Sequence, residues 1–145
     1  MTRPTEDEIR ERLAALPYAR TLGVEPRFDA SGDAPGTGGF LLALPFKPDN
    51  IGNPALPALH GGAVGGFMEL CAIVGLMLEM SRPGQPKPIG ISVDYLRRGR
   101  PEDTFARPTV ARMGSRVANV RVEAWQGEPA KPIATLHGNF LLPGK

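Results

Sequence analysis

The fold depends on one segment, HGGAVGGFMELCAIVGLMLEM, residues 60–80. When this segment is wound as a helix, apolar residues cover every side of it, and a helix without a polar face is buried all round. Its length would also suit a membrane span, which needs about 20 apolar residues. Glu69 in the middle and the interspersed glycines oppose that reading. The segment therefore predicts a long helix in the core of a protein that does not enter the membrane.

Upstream, Thr5 and Glu8 have the spacing of a capping box and predict an N-terminal helix that ends at Pro17. Two strands are expected at residues 21–28 and 37–44, separated by turn-rich residues 29–36. The four prolines within residues 45–59 predict a loop. Downstream, apolar and polar residues alternate in strand fashion near residues 89–95, 104–113, 118–124 and 134–142. We expect these four to form an antiparallel meander, with Pro108 exposed or at a bulge.

The composition indicates one domain. The chain has 145 residues, a net charge of +2 and a single cysteine, Cys71, which lies in the apolar segment. We expect Cys71 to be a small core residue in a reducing, cytoplasmic compartment, since the N-terminus carries no secretory signal. The weak charge gives no reason to expect a nucleic-acid partner. Two distant histidines and one cysteine do not make a metal site, and we expect no cofactor.

The order of elements is a helix, two strands, one long helix and four strands, which predicts an α+β protein. One small sheet can bury such a helix only by curling round it, and part of the helix then remains uncovered. Burial of the remainder needs a second copy of the chain. We therefore expect a homo-oligomer, either a dimer or a dimer of dimers.

The start of the long helix carries the candidate chemistry. Gly61 and Gly62 allow a ligand to approach the backbone closely, and the first N–H groups of a helix have no intrahelical partner. These groups suit a carbonyl oxygen that becomes negative in a transition state. Glu69 lies eight residues beyond Gly61, roughly 12 Å along the helix axis. If both act on one carbonyl, Glu69 must come from a neighbouring subunit.

This pattern resembles a known family. His60-Gly61-Gly62 with an acid nine residues after the histidine is similar to the hotdog-fold acyl-CoA thioesterases of the 4-hydroxybenzoyl-CoA and phenylacetate-pathway types. The segments GISVDYLR (90–97) and IATLHGNFLL (133–142) extend the resemblance over most of the chain. It implies a hotdog fold, in which a curved antiparallel sheet wraps round the central helix. A short N-terminal helix precedes this core.

The resemblance also implies roles. The Gly61 N–H would polarise the thioester carbonyl, Glu69 would act as nucleophile or as general base, and an upstream amide, Asn53, would position water or substrate. The loop before His60 is one residue longer than is usual in the family, so Asn50 is an alternative to Asn53. His60 is a further catalytic candidate, although a histidine at a helix entry more often ties down the preceding loop.

The expected substrate is an aromatic or short- to medium-chain acyl-CoA, with CoA as part of the substrate. Further substrate-binding candidates are two side chains of the helix and four cations suited to CoA phosphates, namely Phe67, Met68, Arg97, Arg98, Arg112 and Arg116. Two other functions fit the same fold. One is an enoyl-CoA hydratase or dehydratase, and the other is an acyl-CoA binding module without turnover.

Overall fold

A computed structural model describes residues 4–28 and 40–144. The regular elements in chain order are α1 Glu6–Ala14, α2 Pro17–Leu22, β1 Glu25–Phe28, β2 Phe40–Leu44, a 3-10 turn Pro48–Asn50, β3 Ile51–Asn53, β4 Ala58–Leu59, α3 Gly61–Glu79, β5 Lys87–Tyr95, β6 Thr104–Met113, β7 Val117–Trp125 and β8 Ala134–Leu141.

Six of the strands form one antiparallel sheet in the order β1-β2-β6-β7-β8-β5. Helix α3 packs against one face of this sheet, mainly on β6 and β7. Alternate residues of β7, from Ala118 to Ala124, are buried under the helix, as a strand with one covered face requires. The predicted α+β hotdog architecture is confirmed. The meander is confirmed for β6, β7 and β8, whereas β5 pairs with β8 and lies at the sheet edge.

The N-terminal region corrects one prediction. The capping box is present, because the Thr5 hydroxyl accepts from the Glu8 N–H at 3.2 Å and the Glu8 carboxylate accepts from the Thr5 N–H at 2.7 Å. However, Pro17 does not simply end α1. It is the first residue of a second helix, where a residue's N–H has no intrahelical acceptor and its absence in proline does not destabilise the helix. The first strand consequently begins at Glu25, and the expected strand over 21–24 is wrong. Residues 29–39, with the predicted turn and the start of the second predicted strand, lie outside the described residues.

Two further expectations are corrected. The segment 45–59 is not only a loop, because β3 and β4 pair as a small antiparallel hairpin immediately before α3. Pro108 is neither exposed nor at the bulge, which lies between Val110 and Arg112. It is buried instead, and its ring fills the space beside Gly75 of α3, where an added Cβ would lie 2.9 Å from the proline Cγ.

Helix α3 is buried on the side that faces the sheet and less buried on the other. By length and composition it is the one helix in the described part of the chain that could cross a membrane, but most of it is buried within the protein. Over residues 61–70 the less buried positions fall within an arc of about 140°, at about 100° per residue. This glycine face comprises Gly61, Gly62, Gly65, Gly66 and Glu69. The expectation of burial all round is therefore wrong for the single chain.

Candidate active site

The first turn of α3 leaves one backbone donor free. Its N-cap is His60, whose side-chain Nδ1 accepts from the Gly62 N–H at 2.9 Å. The carbonyl of His60 accepts from the N–H groups of Ala63 and Val64 at 3.0 and 3.2 Å. The Gly61 N–H, in contrast, has no acceptor among the described residues. Of the amides at this helix start, the structure thus singles out Gly61 as available to a ligand.

His60 has a structural role in this arrangement. Its N–H donates to the carbonyl of Asn50 at 2.8 Å, and its Cα would lie 2.7 Å from a Cβ added at Gly52. An Nδ1 that accepts a hydrogen bond carries no proton, so a neutral His60 has its proton on Nε2. The hydrogen bonds of His60 therefore join the preceding hairpin to the helix.

Glu69 lies on the glycine face of α3. It is half-buried, and burial raises the pKa of its carboxyl above the ordinary value. Within residues 4–28 and 40–144, no side chain forms an ion pair or a hydrogen bond with it. The eight-residue offset turns it only about 80° round the helix from Gly61, so both face the same side. The two groups are nevertheless separated by more than two helical turns.

Two tyrosines cover the glycine face, and neither was predicted from the sequence. The Tyr95 hydroxyl donates to the Gly61 carbonyl at 2.7 Å, and its ring lies beside Gly61 and Gly65. Tyr18 of α2 lies against Gly66, where an added Cβ would be 2.9 Å from its ring. The run of glycines indicated a close approach to the helix, but nothing in it indicated which residues approach.

The two upstream amides differ in their surroundings. The Oδ1 of Asn53 accepts from the Ala55 N–H at 3.0 Å within the hairpin turn, and its exposed Nδ2 has no acceptor among the described residues. Asn50 is buried, and its Nδ2 also has no partner there. Asn50 and His60 border a cavity of about 420 Å³ between α2 and the start of α3. The alternative between Asn53 and Asn50 therefore stays open on geometry.

The arginine candidates separate into two groups. Arg97 and Arg98 follow β5 and donate to the carbonyls of Pro132 and Leu56, at 2.7 and 3.0 Å. With Arg100 and Lys131 they line a cavity of about 320 Å³. The Leu59 N–H donates to the Gly99 carbonyl, which joins this segment to the residues just before α3. Arg112 and Arg116 lie beside the β6–β7 turn, at the opposite end of the sheet.

The remaining candidates do not face a surface of the single chain. Phe67 and Met68 are 0% exposed and belong to the core, so the protomer offers a ligand no contact with either side chain.

Cys71 is also buried, as expected, and burial raises the pKa of its thiol. Among the described residues, no group of three or more histidine, cysteine or acidic side chains could hold a metal ion.

Comparisons with known proteins identify the family of the chain. Residues 56–133 match the model of the Thioesterase superfamily. A curated relative, the medium/long-chain acyl-CoA thioesterase YigI of Escherichia coli K12, is 32% identical over 88% of this chain and 86% of its own length. A crystal structure from Chromobacterium violaceum has 37% identity and a TM-score of 0.72, with 95% of this chain and 91% of that one covered. A Bacillus halodurans protein solved with CoA shares the fold, with a TM-score of 0.73 at 17% identity over 96% and 91% of the two chains.

Proposed function

The chain belongs to the thioesterase superfamily and is a thioester hydrolase, and we propose that it hydrolyses a medium-chain acyl-CoA at sites shared by two copies of the chain. Medium chains are common to the sequence expectation and to the name of the YigI relative. Membership of this family favours hydrolysis over enoyl-CoA hydration and over binding without turnover.

The observation that carries the proposal is that the N–H of Gly61 has no partner in the part of the chain that the structure describes. The neighbouring amides at this helix start are occupied within the protein, so Gly61 is the donor that remains for a substrate carbonyl. The positive end of the helix dipole lies at the same place. Such a donor stabilises the oxyanion of a tetrahedral intermediate more than the ground-state carbonyl, and this difference is what accelerates the reaction.

Glu69 is proposed as the general base. Its carboxylate would take a proton from water, and the oxygen of that water would add to the thioester carbonyl held at Gly61. The tetrahedral intermediate would then collapse, breaking the C–S bond, and Glu69 would return the proton to the leaving CoA thiolate. The products are the free acid and CoA. The raised pKa favours this role over nucleophilic attack, because burial makes a carboxylate a stronger base.

A twofold dimer would supply the missing half of each site. Within the described sheet, β5 is an edge strand with no neighbour on its outer side, and Ile89 on it is 58% exposed. Unpaired strand edges readily pair with another chain. Antiparallel pairing of two β5 strands would also bring together the two half-exposed glycine faces. Gly61 of one protomer and Glu69 of the other would then form one site. The twofold symmetry would give a second, identical site from the other Gly61 and Glu69.

The CoA nucleotide is proposed to bind near Arg97, Arg98, Arg100 and Lys131. These cations lie at the same end of the sheet as Gly61, and guanidinium groups bind phosphate with two parallel hydrogen bonds. Arg98→Ala should raise KM with little change in kcat, because a distant phosphate contact contributes equally to ground-state and transition-state binding. Arg112→Ala is the comparison. It should raise KM only if the partner subunit brings Arg112 to the nucleotide.

The activity is tested with acetyl-, octanoyl-, dodecanoyl-, palmitoyl- and benzoyl-CoA, by measuring release of the free CoA thiol. The highest kcat/KM is expected for octanoyl- or dodecanoyl-CoA. Glu69→Gln should lower kcat by about 10²–10⁴, the usual contribution of a general base. Glu79→Gln is the matched control, because Glu79 lies on the same helix and its pKa is also raised by burial. Hydrolysis of no member of the panel, or equal loss in both variants, would contradict the proposal.

The upstream amide is assigned in the same assay. We propose that Asn53 orients the water or substrate, since its Nδ2 is exposed and without an acceptor among the described residues. Asn53→Ala should therefore lower kcat, whereas Asn50→Ala should have the smaller effect. The reverse order would assign the role to Asn50.

A cytoplasmic location is proposed with this function, because acyl-CoA and a reduced Cys71 both fit that compartment.

A further inference from the structure

Tyr95 makes a contact that the proposed reaction does not explain. It is the last residue of the edge strand β5, is 56% exposed, and lies 34 residues from Gly61 in sequence. Its hydroxyl donates to the Gly61 carbonyl at 2.7 Å. As the first carbonyl of α3, this oxygen also lies where the Gly65 N–H donates within the helix. The tyrosine thus adds a second donor to a carbonyl that already has one.

The peptide unit between Gly61 and Gly62 is therefore held at both ends. Its carbonyl accepts from Tyr95, and its N–H donates to the Nδ1 of His60. Glycine has the widest range of backbone conformations. The direction of a glycine N–H is therefore variable unless neighbouring groups restrict the backbone angles of that glycine. Here the polar groups that neighbour the Gly61 N–H are occupied, whereas that N–H has no acceptor in residues 4–28 and 40–144.

Gly65 makes room for this contact. A Cβ at Gly65 would lie 3.1 Å from the Tyr95 oxygen, which is closer than most Cβ contacts, whereas a Cβ at Gly61 would lie 3.4 Å from the ring in an ordinary contact. The glycine at position 65 therefore admits the hydroxyl to the helix, although it bears no proposed catalytic group.

We infer that Tyr95 is a positioning residue: its hydroxyl holds the Gly61–Gly62 peptide and so restricts the φ and ψ angles of Gly61, which set the direction of the Gly61 N–H toward the substrate. The inference rests on the proposed role of Gly61 as the oxyanion donor. The inference gives a function to the last residue of β5, a strand that contributes no reacting group to the proposed site. It also connects the donor to β5, the strand proposed to pair between protomers.

The test removes the hydroxyl and keeps the ring. Tyr95→Phe should lower kcat about tenfold and change KM by less than about twofold, the loss expected for one hydrogen bond that acts on the transition state. Tyr18→Phe is the matched control. Its ring lies on the same helix face, but its hydroxyl forms no hydrogen bond with a described residue, so kcat should be unchanged.

Gly65→Ala provides a second, independent variant. In the unmodified background its methyl group should displace the Tyr95 hydroxyl and lower kcat, whereas in the Tyr95→Phe background it should lower kcat little further. Residues in contact can be non-additive in stability as well as in kcat, so the melting temperature of each variant is measured beside kcat. A loss of kcat that only follows the fraction of unfolded protein at the assay temperature would give Tyr95 a purely structural role. Size-exclusion chromatography of every variant checks that the oligomer is retained.

Hydrogen exchange gives a readout that needs no turnover. The amide of Gly62 should exchange faster in Tyr95→Phe than in the unmodified protein or in Tyr18→Phe, because one end of its peptide is released. Unchanged kcat in Tyr95→Phe, in a protein that hydrolyses the panel, would overturn the inference about Tyr95 alone. Absence of hydrolysis by the unmodified protein would overturn the proposed function and with it the positioning role.

Discussion

Replacement of Gly61 by proline removes the proposed oxyanion donor with little disturbance of the helix. Proline has no N–H, and Gly61 is the first residue of α3, where that N–H has no intrahelical partner. His60 is extended, with φ −65° and ψ 128°, which is the region that a residue before proline adopts. A Cβ at position 61 would make an ordinary contact with Tyr95 at 3.4 Å. The melting temperature should therefore change little.

The activity should change greatly. Loss of one oxyanion-hole donor typically costs about 2.7–4 kcal/mol, a fall of about 10²–10³ in kcat. Gly61→Ala is the matched control, because alanine adds a Cβ at the same place and keeps the N–H. The assay is release of CoA thiol from the preferred acyl-CoA, measured across pH. Gly61→Pro should lower kcat at every pH without moving the apparent pKa of the profile, since Glu69 still titrates.

The comparison can refute the reasoning. A folded and oligomeric Gly61→Pro enzyme with a kcat within about threefold of Gly61→Ala would show that the Gly61 N–H does not bind the developing oxyanion. An equally large loss in both variants would show that the space at Gly61 matters and its N–H does not.

Three other predictions follow from the same contacts. Burial raises the pKa of Glu69 in the folded state, so the unmodified protein should lose stability as the pH rises from the ordinary pKa value of 4.5 through the folded pKa. Thermal unfolding should therefore show that Glu69→Gln is more stable than the unmodified protein at pH 7 and that this difference disappears in acid. Glu69→Ala mixed in equal amounts with Gly61→Pro should, after subunit exchange, regain about a quarter of the unmodified activity, since half of the dimers then hold one intact site of two; no recovery after exchange verified by mass spectrometry would contradict shared sites. Gly75→Ala should lower the free energy of unfolding by about 1–2 kcal/mol in urea titrations, because the overpacking against Pro108 exceeds the gain in helix propensity.

The features that the sequence predicted well are those with long, regular patterns. Helix α3 and the four late strands have enough residues for their hydrophobic period to be read, and the capping box at Thr5 is local. Helix α2 was missed because Pro17 was interpreted as the end of a helix, although proline is equally suited to the first position of one. The hairpin β3–β4 was missed because strands of three and two residues show no period.

In the candidate site, too, local geometry was predictable and long-range contacts were not. The spacing of Gly61 and Glu69 along one helix could be predicted, because it depends only on the helical rise; their roles stay predictions. The contact of Tyr95 with Gly61 could not, because it joins a helix to an edge strand that reaches its place only through pairing with β8. The one indication of this contact in the sequence was the glycine at position 65. A glycine indicates that another group approaches the backbone closely, but it does not indicate which side chain does so.

Two demands on α3 explain why its exposed face is built of glycines. The helix must bury its apolar side chains against the sheet, yet the proposed function requires its first amide and Glu69 to remain open to a substrate and to a partner helix. Larger apolar side chains on that face would cover the amide, and polar ones would hold the partner helix at a distance. Glycine does neither, so in the proposed dimer the contact surface would be the backbone together with the rings of Tyr18 and Tyr95. Because glycines have no side chains, the peptide between Gly61 and Gly62 is held by hydrogen bonds with two other residues: the Tyr95 hydroxyl donates to its carbonyl, and the His60 imidazole accepts from its N–H.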